Sequence, residues 1–197
     1  MKYVMTNEKA EIKIHKDQKV VLYRIVALRD FKTSALVRKI RYEEGKMVVS
    51  YQKEEKEIKS GQKGGYIQSM KNLSQDGSCW VDDKAVAFAN SSVEDESYLG
   101  DHAAIGDHVK LRDNTKVIDF VQLGGEITLC GNSIIIGSNA YFDKGVYKDL
   151  YLGKSKEPTT NQKKSKKNTV ETPEKPLGKI KIECQIDGKK IVNDFEF

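Results

Sequence analysis

Proline and histidine are scarce in this chain of 197 residues, with three of each, and the prolines (Pro158, Pro173, Pro176) share one short stretch. Cysteine is equally rare. Cys79, Cys130 and Cys184 are odd in number and show no CxxC spacing. That argues against a disulfide framework or a zinc site and points to idle or buried thiols in a reducing compartment. Apolar runs of the ~18 residues needed to cross a bilayer are lacking, so no membrane association is expected. The opening MKYVMTNEKAEIKIHKDQK is charged throughout and shows no secretory leader, so the expected location is cytoplasmic.

A single sign of charge is lacking too. The net charge of +5 divides into +8 for residues 1–74, −7 for 75–152, +4 for 153–177 and zero for 178–197. The acidic middle is a poor phosphate-binding surface. Any nucleic-acid contact therefore falls to residues 1–74 or to the cluster Lys163, Lys164, Lys166 and Lys167. That cluster has no interleaved aromatics, so base stacking is not indicated and a solvated linker is the expectation.

What is present is a repeat. Eleven six-residue units run unbroken from Val81 to Val146: VDDKAV, AFANSS, VEDESY, LGDHAA, IGDHVK, LRDNTK, VIDFVQ, LGGEIT, LCGNSI, IIGSNA and YFDKGV. A large apolar residue opens nearly every unit, and a mostly small one stands four places on. This is neither a helix period nor simple strand alternation; it is the pattern of a parallel β-helix in which each unit makes one flat face of a triangular prism. With three faces per coil, a residue stacks on the one eighteen ahead. Three inward ladders follow: Val81–Leu99–Val117–Ile135, Ala87–Ile105–Leu123–Tyr141 and Val93–Leu111–Leu129–Tyr147. Eleven units give between three and four coils, with the terminal tyrosines as a plug whose hydroxyls reach water.

The third position of the unit is Asp at 83, 95, 101, 107, 113, 119 and 143, and Gly at 125, 131 and 137. Both suit corners, Asp by bonding nearby backbone N–H groups and Gly by tolerating positive φ. Stacked carboxylates also raise the question of calcium, but corner chemistry in water is the simpler reading and no metal or cofactor is expected.

The flanks read as separate units. Residues 1–74 form a β-rich N-terminal unit with strands at Lys19–Leu28, Ala35–Tyr42 and Lys46–Gln52, the last two a hairpin across Glu43–Gly45. Lys53–Gly65 reads as a polar loop, and Tyr66, Ile67, Leu73 and Trp80 are the apolar residues available to cover the first coil of the solenoid at 75–152. Residues 153–177 read as a flexible Lys/Pro linker. Residues 178–197 form a C-terminal hairpin turning at Asp187-Gly188, which must dock on the N-terminal unit, the open end of the prism or another subunit.

The prism resembles that of the hexapeptide acyltransferases, which share a left-handed β-helix. That resemblance implies trimers and a histidine general base acting on an acyl-CoA thioester. His102 and His108 occupy the fourth position of successive units, with His15 remote. Six residues apart, the two stand on adjacent faces, and no insertion interrupts the coils to build an acceptor site. They therefore read as exposed face residues. Unexpectedly apolar outward positions are Tyr98, Phe120, Ile134, Ile136 and Val146, read as a partner interface covered by the C-terminal hairpin, the N-terminal unit or a second protomer.

LYRIVALRDF (22–31), GGYIQSMKNLS (64–74) and DGSCWVDDKAVAFANSSV (76–93) resemble phage and prophage hexapeptide-repeat proteins with a short N-terminal β unit. The resemblance implies an accessory protein in the cytoplasm of a bacterial host. The expected fold class is all-β: a left-handed parallel β-helix with a small N-terminal β unit and a C-terminal β-hairpin. The favoured function is a non-enzymatic binding or scaffold protein, a homo-oligomer (dimer or trimer) that contacts a host or phage protein. Alternatives are an acyltransferase-like enzyme using His102 or His108 and a nucleic-acid-contacting module through residues 1–74.

Overall fold

The computed structural model describes residues 1–14, 18–43, 45–137 and 142–153, together with the strands Lys179–Ile186 and Lys189–Glu196. The expectations for His15, for Tyr141 as a ladder end, for the linker with Lys163, Lys164, Lys166 and Lys167, and for the turn at Asp187-Gly188 lie outside the described residues. The protein is nearly all β. In chain order the N-terminal strands are β1 (Tyr3–Ile14), β2 (Gln18–Ala27), β3 (Phe31–Glu43), β4 (Lys46–Ile58) and β5 (Lys63–Ile67). The rungs follow as β6 (Trp80–Val81), β7 (Val86–Ala87), β8 (Ser92–Val93), β9 (Tyr98–Leu99), β10 (Ala104–Ile105) and β11 (Lys110–Leu111). They continue as β12 (Lys116–Ile118), β13 (Gln122–Leu123), β14 (Ile127–Cys130), β15 (Ile134–Ile136), β16 (Gly145–Lys148) and β17 (Tyr151–Leu152). The chain closes with β18 (Lys179–Ile186) and β19 (Lys189–Glu196), an antiparallel pair.

The rungs form the three faces of a parallel β-helix. The first face contains β5, β7, β10 and β13, the second β8, β11, β14 and β16, and the third β6, β9, β12, β15 and β17. Register follows the eighteen-residue spacing: Val81 on Leu99 on Val117 on Ile135, Ala87 on Ile105 on Leu123, and Val93 on Leu111 on Leu129 on Tyr147. These rungs, apart from the half-buried Tyr147, and the fifth-position residues from Ala85 to Ser133 are buried along the axis. Each large aliphatic side chain so buried contributes roughly 1.5–3 kcal/mol before chain entropy is charged against it.

The solenoid has about five turns, more than the three to four counted from the repeat. Ile67 stacks below Ala87, Leu73 bridges Val93, and Leu152 closes the far end on Ile135. These added rungs escape the hexapeptide frame because the lead-in is irregular and the last coil is one residue short, with Ile134 paired to Tyr151. Tyr147 is the terminal ring as expected, but its hydroxyl donates to the Asp143 carbonyl at 2.8 Å.

Corners turn through left-handed residues. Asp83, Asp95, Asp101, Asp107, Asp113 and Asp119 have φ between 47° and 73°, joined by Ala89 and Asp149. Asp143 does not share that conformation, and Asp149 takes the corner in the shortened last coil. The carboxylates work between coils: Asp95 accepts the Asp113 N–H at 3.0 Å, Asp113 that of Gly131 at 2.7 Å, and Asp107 that of Gly125 at 2.8 Å. Stacked aspartates thus spend their charge on backbone donors.

The N-terminal unit is continuous with the prism. β5 pairs antiparallel with β2 and parallel with β7, so β1–β2–β5 extends the first face into one six-stranded sheet. Its glycines are obligatory: a Cβ on Gly64 would meet the Trp80 ring at 2.5 Å, and one on Gly65 would strike the Ala85 carbonyl. The expected loop at Lys53–Gly65 is replaced by strand through Ile58. Cross-strand ion pairs Lys32–Glu55 (2.7 Å) and Lys39–Glu54 (2.8 Å) make its charged residues good partners for β3. A second apolar cluster of Ala10, Ile12, Val20, Leu22 and Tyr66 lies on the extended sheet, and β18 runs beside β1.

The first coil is not closed by the apolar residues expected. Ile67 and Leu73 are inward rungs, whereas Lys2 and Tyr3 make the cap. Neighbouring coils exchange backbone bonds along parallel ladders, as where Trp80 donates to the Ser97 carbonyl and Asp82 to that of Leu99. Carbonyls on the outer edge of the first coil have no preceding coil to supply a donor. Lys2 Nζ supplies one to Cys79 O (2.9 Å), Asp76 O (3.1 Å) and Gly77 O (3.4 Å), and the Tyr3 hydroxyl donates to Leu73 O (2.6 Å). Burial pushes the Lys2 ammonium below its ordinary pKa, opposed by the neighbouring Cys79 sulfur. Replacing Lys2 by Met is expected to destabilise the fold by about 2–3 kcal/mol, through unpaired buried carbonyls, in urea titrations. A change below about 0.5 kcal/mol would remove the cap from this role.

Candidate functional site

β3 and β4 pair along their whole length from Phe31↔Ile58 to Glu43↔Lys46, forming a two-stranded arm. Its base covers the third face. The outward column there is Trp80, Tyr98, Lys116 and Ile134, of which the first three are buried and Ile134 is half-buried. Phe31 meets Trp80 edge-on with ring centroids 5.4 Å apart. Such a column needs cover because an outward apolar stripe on a sheet face is otherwise left in water.

Two aspartates fasten the arm. Asp82 Oδ2 accepts the Tyr98 hydroxyl at 2.5 Å and pairs with Lys56 of β4. Asp119 accepts Arg38 Nη1 at 3.1 Å on one carboxylate oxygen and the Tyr51 hydroxyl at 2.6 Å on the other. Burial raises the pKa values of both tyrosines well above the ordinary range, reinforced by the adjacent carboxylates. They stay protonated and donate. Asp101, in the coil before Asp119, is also pushed up by desolvation.

Lys116 is fully buried in the same column, its Nζ donating to the Glu96 carbonyl at 2.6 Å. Desolvation, helped by the charge of Lys53, lowers its pKa from 10.5 to about 8. A polar cleft of about 310 Å³ opens beside it between arm and prism, lined by residues including Thr33, Ser34, Lys53, Ser78 and Glu96. This set of groups is a fastening: cations and phenols donate to fixed carboxylates and carbonyls, and the hydroxyls are held in the protonated form.

The expected site residues are scattered. His102 lies face-to-face on Phe120, centroids 4.8 Å apart and planes 15° from parallel. His108 Nε2 is 3.3 Å from Asn90 Nδ2, in a corner column that continues to the ion pair Glu126–Lys144. Both histidines are exposed on successive units, and the structure does not bring them together. Of the five outward apolar residues, Tyr98 and Ile136 are buried within this chain, Tyr98 by the arm, and so are not open to a partner. Ile134 is half-buried, while Phe120 (52% exposed) and Val146 (72% exposed) face solvent. Among the described residues no group of three or more His, Cys, Asp and Glu is placed to hold a metal ion.

The faces differ in cover. The second face presents outward Ser92, Lys110, Thr128 and Val146, buried only at Ser92, with Lys110 and Val146 exposed. Its edges are tied by Arg112–Glu94 (3.0 Å) and by an Asn114–Asn132 side-chain bond (2.9 Å). Sequence reasoning missed Lys2, Arg38, Tyr51, Lys56, Asp82 and Lys116. One signal was available: a lysine interrupting the column of Trp80, Tyr98 and Ile134. The chain matches no protein-family model and no curated protein.

Between pH about 8 and 10.5 the unfolded chain keeps a proton that the folded Lys116 has released, so this group makes stability rise with pH across that window. Lys116→Met is expected to lose that rise, on the order of 1–3 kcal/mol, when urea midpoints near pH 7.5 and 9.5 are compared. Parallel profiles for the two proteins would rule out a buried ammonium. Arg38→Ala combined with Tyr51→Phe leaves Asp119 unpaired beneath the arm. It is expected to speed amide exchange in β3 and β4 by about tenfold or more while the prism rungs keep their protection.

Proposed function

We propose that this chain is a non-enzymatic binding and scaffold protein, encoded by a phage and acting in the bacterial cytoplasm, that engages a host protein. A defence factor is the expected class of target. The observation that carries the reading is the unequal cover of the prism: its third face lies under the arm, while its second face is flat and open. Lys110, Thr128 and Val146 stand outward there on successive coils. A face built of coils hydrogen-bonded at ~4.8 Å spacing is rigid, so a partner docks on it without ordering it first. A lone exposed valine among polar neighbours suits a hydrophobic anchor with a polar rim.

The resemblance of GGYIQSMKNLS to phage and prophage proteins supports the phage assignment. The acyltransferase alternative requires a histidine poised over a substrate. His102 is stacked on Phe120 and His108 is partnered by Asn90, which favours ladder roles for both. The basic balance of residues 1–74 is matched by the acidic balance of 75–152, which gives those cations partners within the molecule.

Affinity capture from phage-infected bacterial lysate tests the reading. The full chain is expected to retain a discrete host protein, and Lys110→Glu with Val146→Asp to lose it without a shift in melting temperature. Identical captures by both proteins, or none, would remove the face from this role. A rise in melting temperature with acetyl-CoA that is abolished by His108→Ala would establish the enzyme in its place.

A further inference from the structure

The arm is longer than the face it covers. In an antiparallel ribbon, residues directly opposite each other share a side. Arg38↔Tyr51, Ile40↔Val49 and Tyr42↔Met47 therefore form three successive pairs on one side of the ribbon. The first pair grips Asp119, so at that point of the ribbon this side turns toward the prism, whereas nearer the base the opposite side does, through Phe31 and Lys56. The next two pairs continue the same side, yet Ile40 is 49% exposed, Tyr42 76% and Met47 60%. Val48, on the other side, is 38% exposed. A two-stranded ribbon end has little to hold it in water, and this one spends its exposed surface on large apolar side chains.

The occupant is indicated by what the same side already recognises. Within one chain it binds an aspartate-bearing coil corner with an aromatic ring next in sequence, Asp119 followed by Phe120. Phe120 itself remains exposed, stacked on His102, and among the described residues none of the arm is shown stacked on it. The ribbon tip thus lacks an apolar surface and the corner lacks an apolar cover, on the same molecule. Two copies related by a two-fold axis satisfy both needs at once, tip to corner and corner to tip. Net charges assist, because residues 1–74 carry +8 and residues 75–152 carry −7.

We propose that the tip of the β3–β4 arm is a self-association surface, with Ile40, Tyr42 and Met47 packing on the Phe120 corner of a second copy. It uses neither Lys110 nor Val146, so it stands or falls separately from the host-binding face. Sedimentation velocity of the full chain over a range of concentrations and salt is the test. A dimer is expected whose dissociation constant rises with salt. Tyr42→Asp with Met47→Asp, and separately Phe120→Asp, are each expected to raise that constant by at least about tenfold. Melting temperatures measured at dilutions where the chain is monomeric should stay unchanged, and Tyr42→Phe should keep the dimer. A chain that is monomeric at every concentration overturns the proposal, as does a dimer indifferent to Tyr42, Met47 and Phe120. So does a monomer that binds a fluorescent DNA duplex and loses it on Tyr42→Asp, for then the tip serves a nucleic acid. Host capture that persists in a monomeric Phe120→Asp variant leaves the host-binding face intact.

Discussion

Parallel winding leaves an open backbone edge at its first coil, and the rest of the molecule depends on how that edge is closed. A parallel ladder alternates donors and acceptors along each strand, so the outer edge of the first coil presents carbonyls and N–H groups with no coil behind them. An apolar lid excludes water from the first coil without satisfying its carbonyls, and buried unpaired carbonyls are expensive. A primary ammonium carries three donors on a slender stem, which suits a triangular coil presenting several carbonyls at once. Lys2 fills that place, and Tyr3 and Gln75 complete it: the Gln75 side chain accepts Lys2 N–H at 2.7 Å and donates to Tyr3 O at 3.1 Å. The start of β1 is thereby bound to the solenoid, while β5, paired with both β2 and β7, joins the same unit to the first face.

The corners impose a second constraint with wider effects. A flat-faced coil needs a left-handed residue at each turn, and among residues with a Cβ aspartate is one of the few that tolerate it. Its carboxylate then receives an N–H from the coil above. Repeated at corner after corner, this local solution gives the prism its net charge of −7. Arg38, Lys56 and the phenols of Tyr51 and Tyr98 meet that charge. The electrostatics of the assembled molecule thus grow from the backbone geometry of a six-residue unit.

The period-six pattern made the prism legible because it is local: each rung announces itself within six residues, and stacking at eighteen follows from threefold winding. Contacts that depend on distant partners left no such mark. Lys2 reaches Cys79 across 77 positions, and a lysine at the second residue carries no hint of it. β1 was hidden because its charged residues (Glu8, Glu11, Lys13) mask the alternation that its pairing with β2 reveals. KEEKEI looked like a loop by composition, yet opposite charges on β3 make it strand. Tyr98 and Ile136 looked outward from the repeat and are outward, but the same chain covers them.

Specificity in a periodic fold must come from where the period fails. A coil that repeats its neighbour offers every partner the same surface three or four times over. Lys116 breaks an apolar column that the arm covers, and Asp82 and Asp119 fasten the arm over it. Polar fastenings of this kind add little net stability but select one arrangement among several of similar apolar burial. Phe120 and Val146 break polar columns, and there the surface becomes distinctive. The arm belongs to neither pattern. Its base is held by Asp82 and Asp119 while Ile40, Tyr42 and Met47 toward its tip stay exposed, so the prism's chemistry sets its direction and leaves its end in solvent.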